Sequence, residues 1–174
     1  MKSSSEATID HPVEGIDLTA WLSNMTDRDY QACSRGHRAA GTFREGSSIG
    51  MVNVENVGGN LLVQHYLMVK AQPEQVVMHS TKTRVYILHL VPATIEVIWT
   101  VEVEPKTNKS ATFRCTVETR MSTLLGALSN FILLQLFLQR HTREETVKFA
   151  GDIQRKAGLT SQAGAELVIN RVEA

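Results

Sequence analysis

From Met121 to Leu138 the chain runs eighteen residues without a charge, and it then passes directly into a charged segment, His141 to Lys156. Nothing in MSTLLGALSNFILLQLFLQRHTREETVKFAGDIQRK breaks a helix. There is no proline, good helix formers dominate, and Ser122 stands ahead of the apolar run as an N-cap. The segment reads as one helix, roughly 50 Å long if unbroken. Everything ahead of it is short strand patterns. A helix that is apolar nearly all round has to be covered. A sheet gripping such a helix cannot close on it completely, and the gap left between them is a natural hydrophobic pocket for a small molecule.

A bilayer span is the competing fate for Met121–Leu138, because eighteen uncharged residues touch its lower length limit. Ser122, Thr123, Ser129, Asn130 and Gln135 dilute the run, however, and it grows into an amphipathic helix. Burial in a core, around a cavity, or against a second copy of the chain in a homodimer is therefore expected, with no membrane span. The 18 Lys and Arg residues balance 18 Asp and Glu, which leaves no electrostatic footprint for nucleic acid. The opening MKSSSEATIDHPVEG has no apolar signal-peptide core. Cys33 and Cys115 fit neither a disulfide framework nor a zinc spacing, so a cytoplasmic setting is expected, with Cys115 buried as a small hydrophobe.

Residues 1–8 read as a flexible Ser-rich tail, 9–158 as one domain, and 159–174 as a C-terminal tail. Asp17 caps a short helix in DLTAWLSN, and Thr26 with Asp29 opens a second in TDRDYQACS, ended by Gly36. From His37 the period changes to two. HRAAGTFRE, SSIGMVNVENV and LLVQHYLMVKA are strands, the last two joined at Gly58-Gly59-Asn60. QVVMHSTKTRVYILHLV follows, and Pro92 is expected to close it. In TIEVIWTVEVE, Ile95, Val97, Trp99, Val101 and Val103 share one face; in ATFRCTVETR, Ala111, Phe113, Cys115 and Val117 do. The sum is an α+β domain: an antiparallel sheet of about six strands, two short helices and one long C-terminal helix.

That order, together with MTDRDYQACS, HRAAGT, GMVNVENVGGNLLVQHY, VIWTVEVEP and HTREETVKFAGDI, resembles the START-like or SRPBCC superfamily. Lipid-transfer domains, the birch-pollen-allergen group, and polyketide cyclases and dehydratases are among its members. The resemblance spans most of residues 20–155. It implies a helix-grip fold with a curved antiparallel sheet of about six or seven strands around a hydrophobic pocket. It does not fix the activity, since enzymes and inert carriers share the fold.

Several polar residues are candidates for chemistry in such a pocket. In LLVQHYLMV the apolar set Val63, Leu67 and Val69 places His65 on the dry face, where a neighbour readily tunes its pKa; a bulge would turn Tyr66 inward instead. Arg84, Tyr86 and His89 lie in the next strand, and an Arg there would hold an enolate or carboxylate oxygen. His141 and Glu145, four apart, share a helix face and can form an acid–base dyad or supply two metal ligands. His65, His79 and Glu55 are their possible partners, against the plainer reading of a solvated face with Glu144 pairing to Lys148. Asn53 and Glu55 share a face expected to point outward.

The combined expectation is a pocket enzyme for a polyketide-like carbonyl compound, working by cyclisation, dehydration or isomerisation. His65 would be the acid or base, Arg84 or Tyr86 the enolate support, and Val63, Leu67, Val97, Trp99, Phe113, Leu124 and Leu128 the binding wall. No cofactor and no metal is expected. A carrier or sensor of a small hydrophobic ligand is the alternative.

Overall fold

Two-residue alternation from His37 onward becomes six strands of a seven-stranded antiparallel sheet. The computed structural model describes residues 1–121 and 131–172, with side chains in the second stretch described for 135–158. The strands are β1 (Lys2–Ile9), β2 (His37–Glu45), β3 (Ser48–Val57), β4 (Asn60–Ala71), β5 (Gln75–Ile87), β6 (Val91–Thr107) and β7 (Ser110–Arg120). Their order is β1-β7-β6-β5-β4-β3-β2. A 3-10 turn (Val13–Gly15) and two short helices, α1 (Leu18–Ser23) and α2 (Asp27–Cys33), link β1 to β2, and α3 (Phe131–Val172) ends the described chain. Among the described residues, no helix is long and apolar enough to cross a membrane.

The expected caps are present. Asp17 accepts the Ala20 N–H at 2.8 Å, and Thr26 with Asp29 forms a reciprocal capping box. Gly58 and Gly59 sit at φ 59° and 81° in the β3–β4 turn, a conformation that glycine adopts without strain. Ile95, Val97, Trp99, Val101 and Val103 face inward as the alternation predicts, as do Ala111, Phe113, Cys115 and Val117.

Four expectations need correcting. The Ser-rich segment is not a tail but β1, paired with β7 from Lys2↔Glu118 to Ile9↔Ala111. Its serines pair instead of solvating, Ser4 meeting Thr116 hydroxyl to hydroxyl at 2.9 Å. Pro92 does not close a strand; β6 runs through it and through Pro105. Each lies near a strand end, where a missing N–H costs little. The last helix continues to Val172, through most of the segment expected as a C-terminal tail. Ser122, Leu124 and Leu128 lie outside the described residues.

The fourth correction is the face of β4. Both of its faces carry aliphatics, so hydrophobicity alone does not choose between them. Pairing with β3 sets Gln64 opposite Asn53 and Tyr66 opposite Met51, which turns Leu62, Gln64, Tyr66 and Met68 inward and Val63, His65, Leu67 and Val69 outward.

The short helices are locked to α3. Trp21 Nε1 donates to Asp152 Oδ2 at 2.9 Å in a buried contact, and Lys156 spans Asp29 at 3.0 Å and Asp152 at 2.9 Å. This anchorage fixes the middle of α3 against the sheet. One helix face, with His141, Glu145 and Phe149, is thereby held toward the interior.

Candidate functional site

Between sheet and helix lies a cavity of about 560 Å³. Leu62, Val85, Ile95, Val97, Trp99 and Val117 supply much of its wall, and Phe137 and Leu138 of α3 border it. Leu138 therefore faces the ligand space. A volume of this size accommodates a drug-sized molecule.

One part of the wall is polar and deeply buried. Tyr30, Glu55, His141 and Glu145 line the cavity, and His37 stands beside them, 4 % exposed. Four different stretches of chain deliver these groups, Tyr30 coming from α2. Glu55 comes from β3, His37 opens β2 directly opposite it in register, and α3 projects His141 and Glu145 one turn apart. Gly36 permits the close approach of the α2–β2 loop, since a Cβ there would lie 3.0 Å from His141 Cε1 and 2.7 Å from the Asn56 carbonyl.

The atomic arrangement is specific. His37 Nε2 lies 3.4 Å from Glu145 Oε2. His141 Nε2 lies 3.5 Å from Glu145 Oε2 and 3.5 Å from Glu55 Oε2. Neither Nε2 atom has a hydrogen-bond partner, although both are buried. Their other ring nitrogens are anchored: His37 Nδ1 meets the Tyr30 carbonyl at 2.6 Å, and His141 Nδ1 meets Ser34 Oγ at 3.2 Å. A carbonyl can only accept, so His37 carries a proton on Nδ1, and as a neutral ring it would turn its Nε2 lone pair to the cluster. Tyr30 donates its hydroxyl to Glu55 Oε1, and its ring stacks on His37 at 3.8 Å. Cys115 Sγ approaches Glu145 Oε1 at 3.5 Å.

Such a donor set can hold a divalent metal. The ligand atoms of His37, Glu55 and His141 all fall within 4.8 Å of one another. Bonds of about 2.1 Å in a tetrahedral site put neighbouring ligands about 3.4 Å apart. Three of the six ligand–ligand separations, at 3.4 and 3.5 Å, are too long for good hydrogen bonds and match that edge. Two neutral imidazoles and two carboxylates also balance a doubly charged ion, which removes the cost of burying both anions. The anchored Nδ1 atoms are the outer contacts that metal-binding histidines ordinarily have.

Without a metal the same proximity couples the groups. Burial pulls the His141 imidazolium down, but Glu145 and Glu55 outweigh it and raise its pKa to about 9. Burial pushes Glu55 up, yet the close His141 imidazolium, with help from His37 and Tyr30, brings it to about 2. Tyr66, also in the cavity wall, is pushed well above the ordinary phenol range by burial and by the charges of Glu55 and Glu145.

The residues singled out from sequence divide sharply. Val97 and Trp99 border the cavity; Phe113 is fully buried in the core beside it. His141 and Glu145 meet inside and not on a solvated face, and Glu144 alone turns outward, accepting the Arg35 N–H at 3.1 Å. Glu55 and Asn53 point inward, against expectation. His65 does not reach the cavity. It lies exposed on the outer face with its ring edge-on to Phe43 at 5.0 Å, and Val63 and Leu67 share that face. Arg84 and Tyr86 are exposed as well, because Val85 and Ile87 take the inward positions. His89 occupies the β5–β6 turn at φ 62° and contacts Asn56 at 3.1 Å. His79 pairs with Glu96 at 2.7 Å away from the cavity. It follows that His65→Ala leaves metal and ligand binding unchanged and shifts stability by no more than about 0.5 kcal/mol, read by calorimetry and thermal melts.

Sequence reading missed His37, Tyr30 and the inward turn of Asn53 and Glu55. One signal was available: Asn53 and Glu55 alternate with Met51 and Val57 on a strand whose partner carries Gln64 and Tyr66.

No family model matches the sequence, and no curated protein matches it. Solved structures do. The ZhuI aromatase/cyclase from Streptomyces sp. R1128 superposes with a TM-score of 0.61 at 12% identity, covering 90% of this chain and 94% of that one. The di-domain aromatase/cyclase StfQ from the steffimycin biosynthetic pathway gives 0.59 at 10% identity over 90% of this chain and 52% of its own. A conserved protein from Geobacillus kaustophilus gives 0.53 at 9% identity over 92% and 97%. At these identities the likeness speaks for architecture. The seven-stranded antiparallel sheet closed on a long C-terminal helix around an apolar cavity is the expected helix-grip architecture, shared with these solved structures.

Proposed function

We propose that this protein is a metal-dependent enzyme acting on a hydrophobic carbonyl compound of polyketide type, through a reaction that forms an enolate. The observation that carries the reading is the convergence of His37, Glu55 and His141, whose ligand atoms all lie within 4.8 Å of one another, with Glu145 Oε2 3.4 Å from His37 Nε2 and 3.5 Å from His141 Nε2, beside an apolar cavity. A divalent ion, zinc first among them for this mixture of imidazole and carboxylate, would supply Lewis-acid polarisation of a substrate carbonyl.

The chain's own groups do the rest. Val97, Trp99 and Val117 hold the apolar body of the substrate and exclude water, which fixes its carbonyl against the polar wall. Tyr66 keeps its proton, for the reasons given above, and serves as the donor to a developing enolate. Cyclisation, dehydration, isomerisation and hydrolytic loss of an acyl group all pass through such a species. The aromatase/cyclase activity in the names of two structural neighbours belongs to the same range of chemistry.

The test combines metal analysis with product detection. Protein purified without chelator should contain close to one equivalent of a divalent metal by plasma mass spectrometry. Incubated with a panel of acylphenols and aryl β-diketones, it should yield a product of altered mass, lost with chelator and restored by zinc. A ligand recovered chemically unchanged from metal-loaded protein would make this a carrier.

A further inference from the structure

Three polar side chains in the cavity wall have no partner, and the metal cluster does not use them. Asn53 is 1 % exposed, Gln64 3 % and Thr119 6 %. Among the described residues Asn53 Oδ1, Gln64 Oε1 and Thr119 Oγ1 accept no hydrogen bond, yet all three residues line the cavity. Buried polar atoms are nearly always satisfied, and leaving one unsatisfied costs stability. Three around a single void, in a wall otherwise made mostly of aliphatic and aromatic residues, call for a partner that arrives with the ligand.

Their placement describes that partner. Asn53 and Gln64 face each other across β3 and β4, and Asn53 stands two residues from Glu55 on the same face of its strand. Thr119 belongs to β7, where it pairs with Val97 on the far side of the sheet from β3. A molecule seated against the metal cluster therefore meets two carboxamides close by and a hydroxyl on another wall. Donors spread over several edges of an apolar body describe a ring bearing hydroxyl groups. A fatty acyl chain offers none.

We infer that Asn53, Gln64 and Thr119 form a hydroxyl-recognition subsite and that the substrate is a polyhydroxylated aromatic ketone. This deepens the functional reading above by naming its substrate class, but the test reads binding alone and needs no turnover. The probes are 2,4-dihydroxyacetophenone and its dimethyl ether, titrated into zinc-loaded protein by calorimetry. Each hydroxyl bonded to a neutral acceptor is worth up to about tenfold in affinity, so the dihydroxy compound should bind about fivefold to a hundredfold tighter. In Asn53→Leu/Gln64→Met that preference should fall to within about twofold, while the ether binds as well as before. The same variant should melt no lower than the natural chain, because two unsatisfied groups have been removed. Should it fail to fold, Thr119→Val provides the same comparison on the opposite wall.

Equal affinity for the two probes in the natural protein, or no binding of the dihydroxy compound at millimolar concentration, overturns the inference. Discrimination that survives in both variants overturns it too. Loss of discrimination without any turnover of acylphenols keeps the subsite and removes the enzyme.

Discussion

His141→Ala protein should hold less than about a tenth of an equivalent of zinc under conditions where the natural chain holds one. The reason is geometric. His141 Nε2 sits 3.5 Å from both carboxylates and links the helix half of the cluster to Glu55 on the sheet. Without it three donors remain on three elements, with no central atom holding them together. The metal-free variant should also lose stability, by about 3–5 kcal/mol, because Glu55 and Glu145 stay buried with their cation gone. A variant that merely unfolds would mimic metal loss, so Glu55→Gln is the informative companion. It keeps the acceptor for Tyr30 and the shape of the side chain but gives up a charged ligand. It should fold, melt close to the natural chain in chelator, and bind zinc at least about a hundredfold more weakly. Natural-strength zinc binding by Glu55→Gln, measured by competition with a chromogenic chelator, would dismiss the four-ligand site.

How far the sequence could be read depends on which physical signal each residue carried. Helix caps, turn glycines and the alternation through Ile95–Val103 are local, and each appears where its residues required. The face of β4 is not local. Its aliphatics lie on both sides, and only hydrogen-bonded register with β3 selects Gln64 and Tyr66 over Val63 and His65. Hydrophobic patterning favours the wrong face here because the right one carries the ligand-binding polar groups, as it does at Asn53 and Glu55. His141 and Glu145 were legible as a pair at helical spacing, but their depth was not, since a charged segment reads as solvated. His37 carried no pattern at all; it becomes a site residue only when β2 folds alongside Glu55. β1 was hidden by composition, because Ser-rich segments resemble tails until a β-edge is available to pair with them.

Phe149→Ala should lower the melting midpoint by about 6–20 °C, and Phe149→Leu should separate what that ring does for the core from what it does for the site. Phe149 is fully buried. Its ring stands edge-on to Trp21 at 5.3 Å, tilted against Trp99 at 5.7 Å and stacked with His37 at 5.9 Å. Truncating a buried Phe to Ala typically costs about 3–5 kcal/mol, and a domain of this size loses about 2–4 °C for each kcal/mol. Leucine refills most of the space, so the cost should shrink to about 1.5 kcal/mol or less. What leucine cannot restore is the aromatic contact to His37, whose ring also stacks on Tyr30 at 3.8 Å. With that contact gone, the imidazole can tilt away from Glu145 about its Nδ1 anchor. Zinc affinity in Phe149→Leu should then fall about tenfold or more while the fold persists, the size of effect expected when a contact orienting a metal ligand is lost. Unchanged zinc affinity in a Phe149→Leu protein that melts near the natural temperature would mean that the Tyr30 carbonyl alone orients His37. The aromatic cluster would then be core packing with no part in the site.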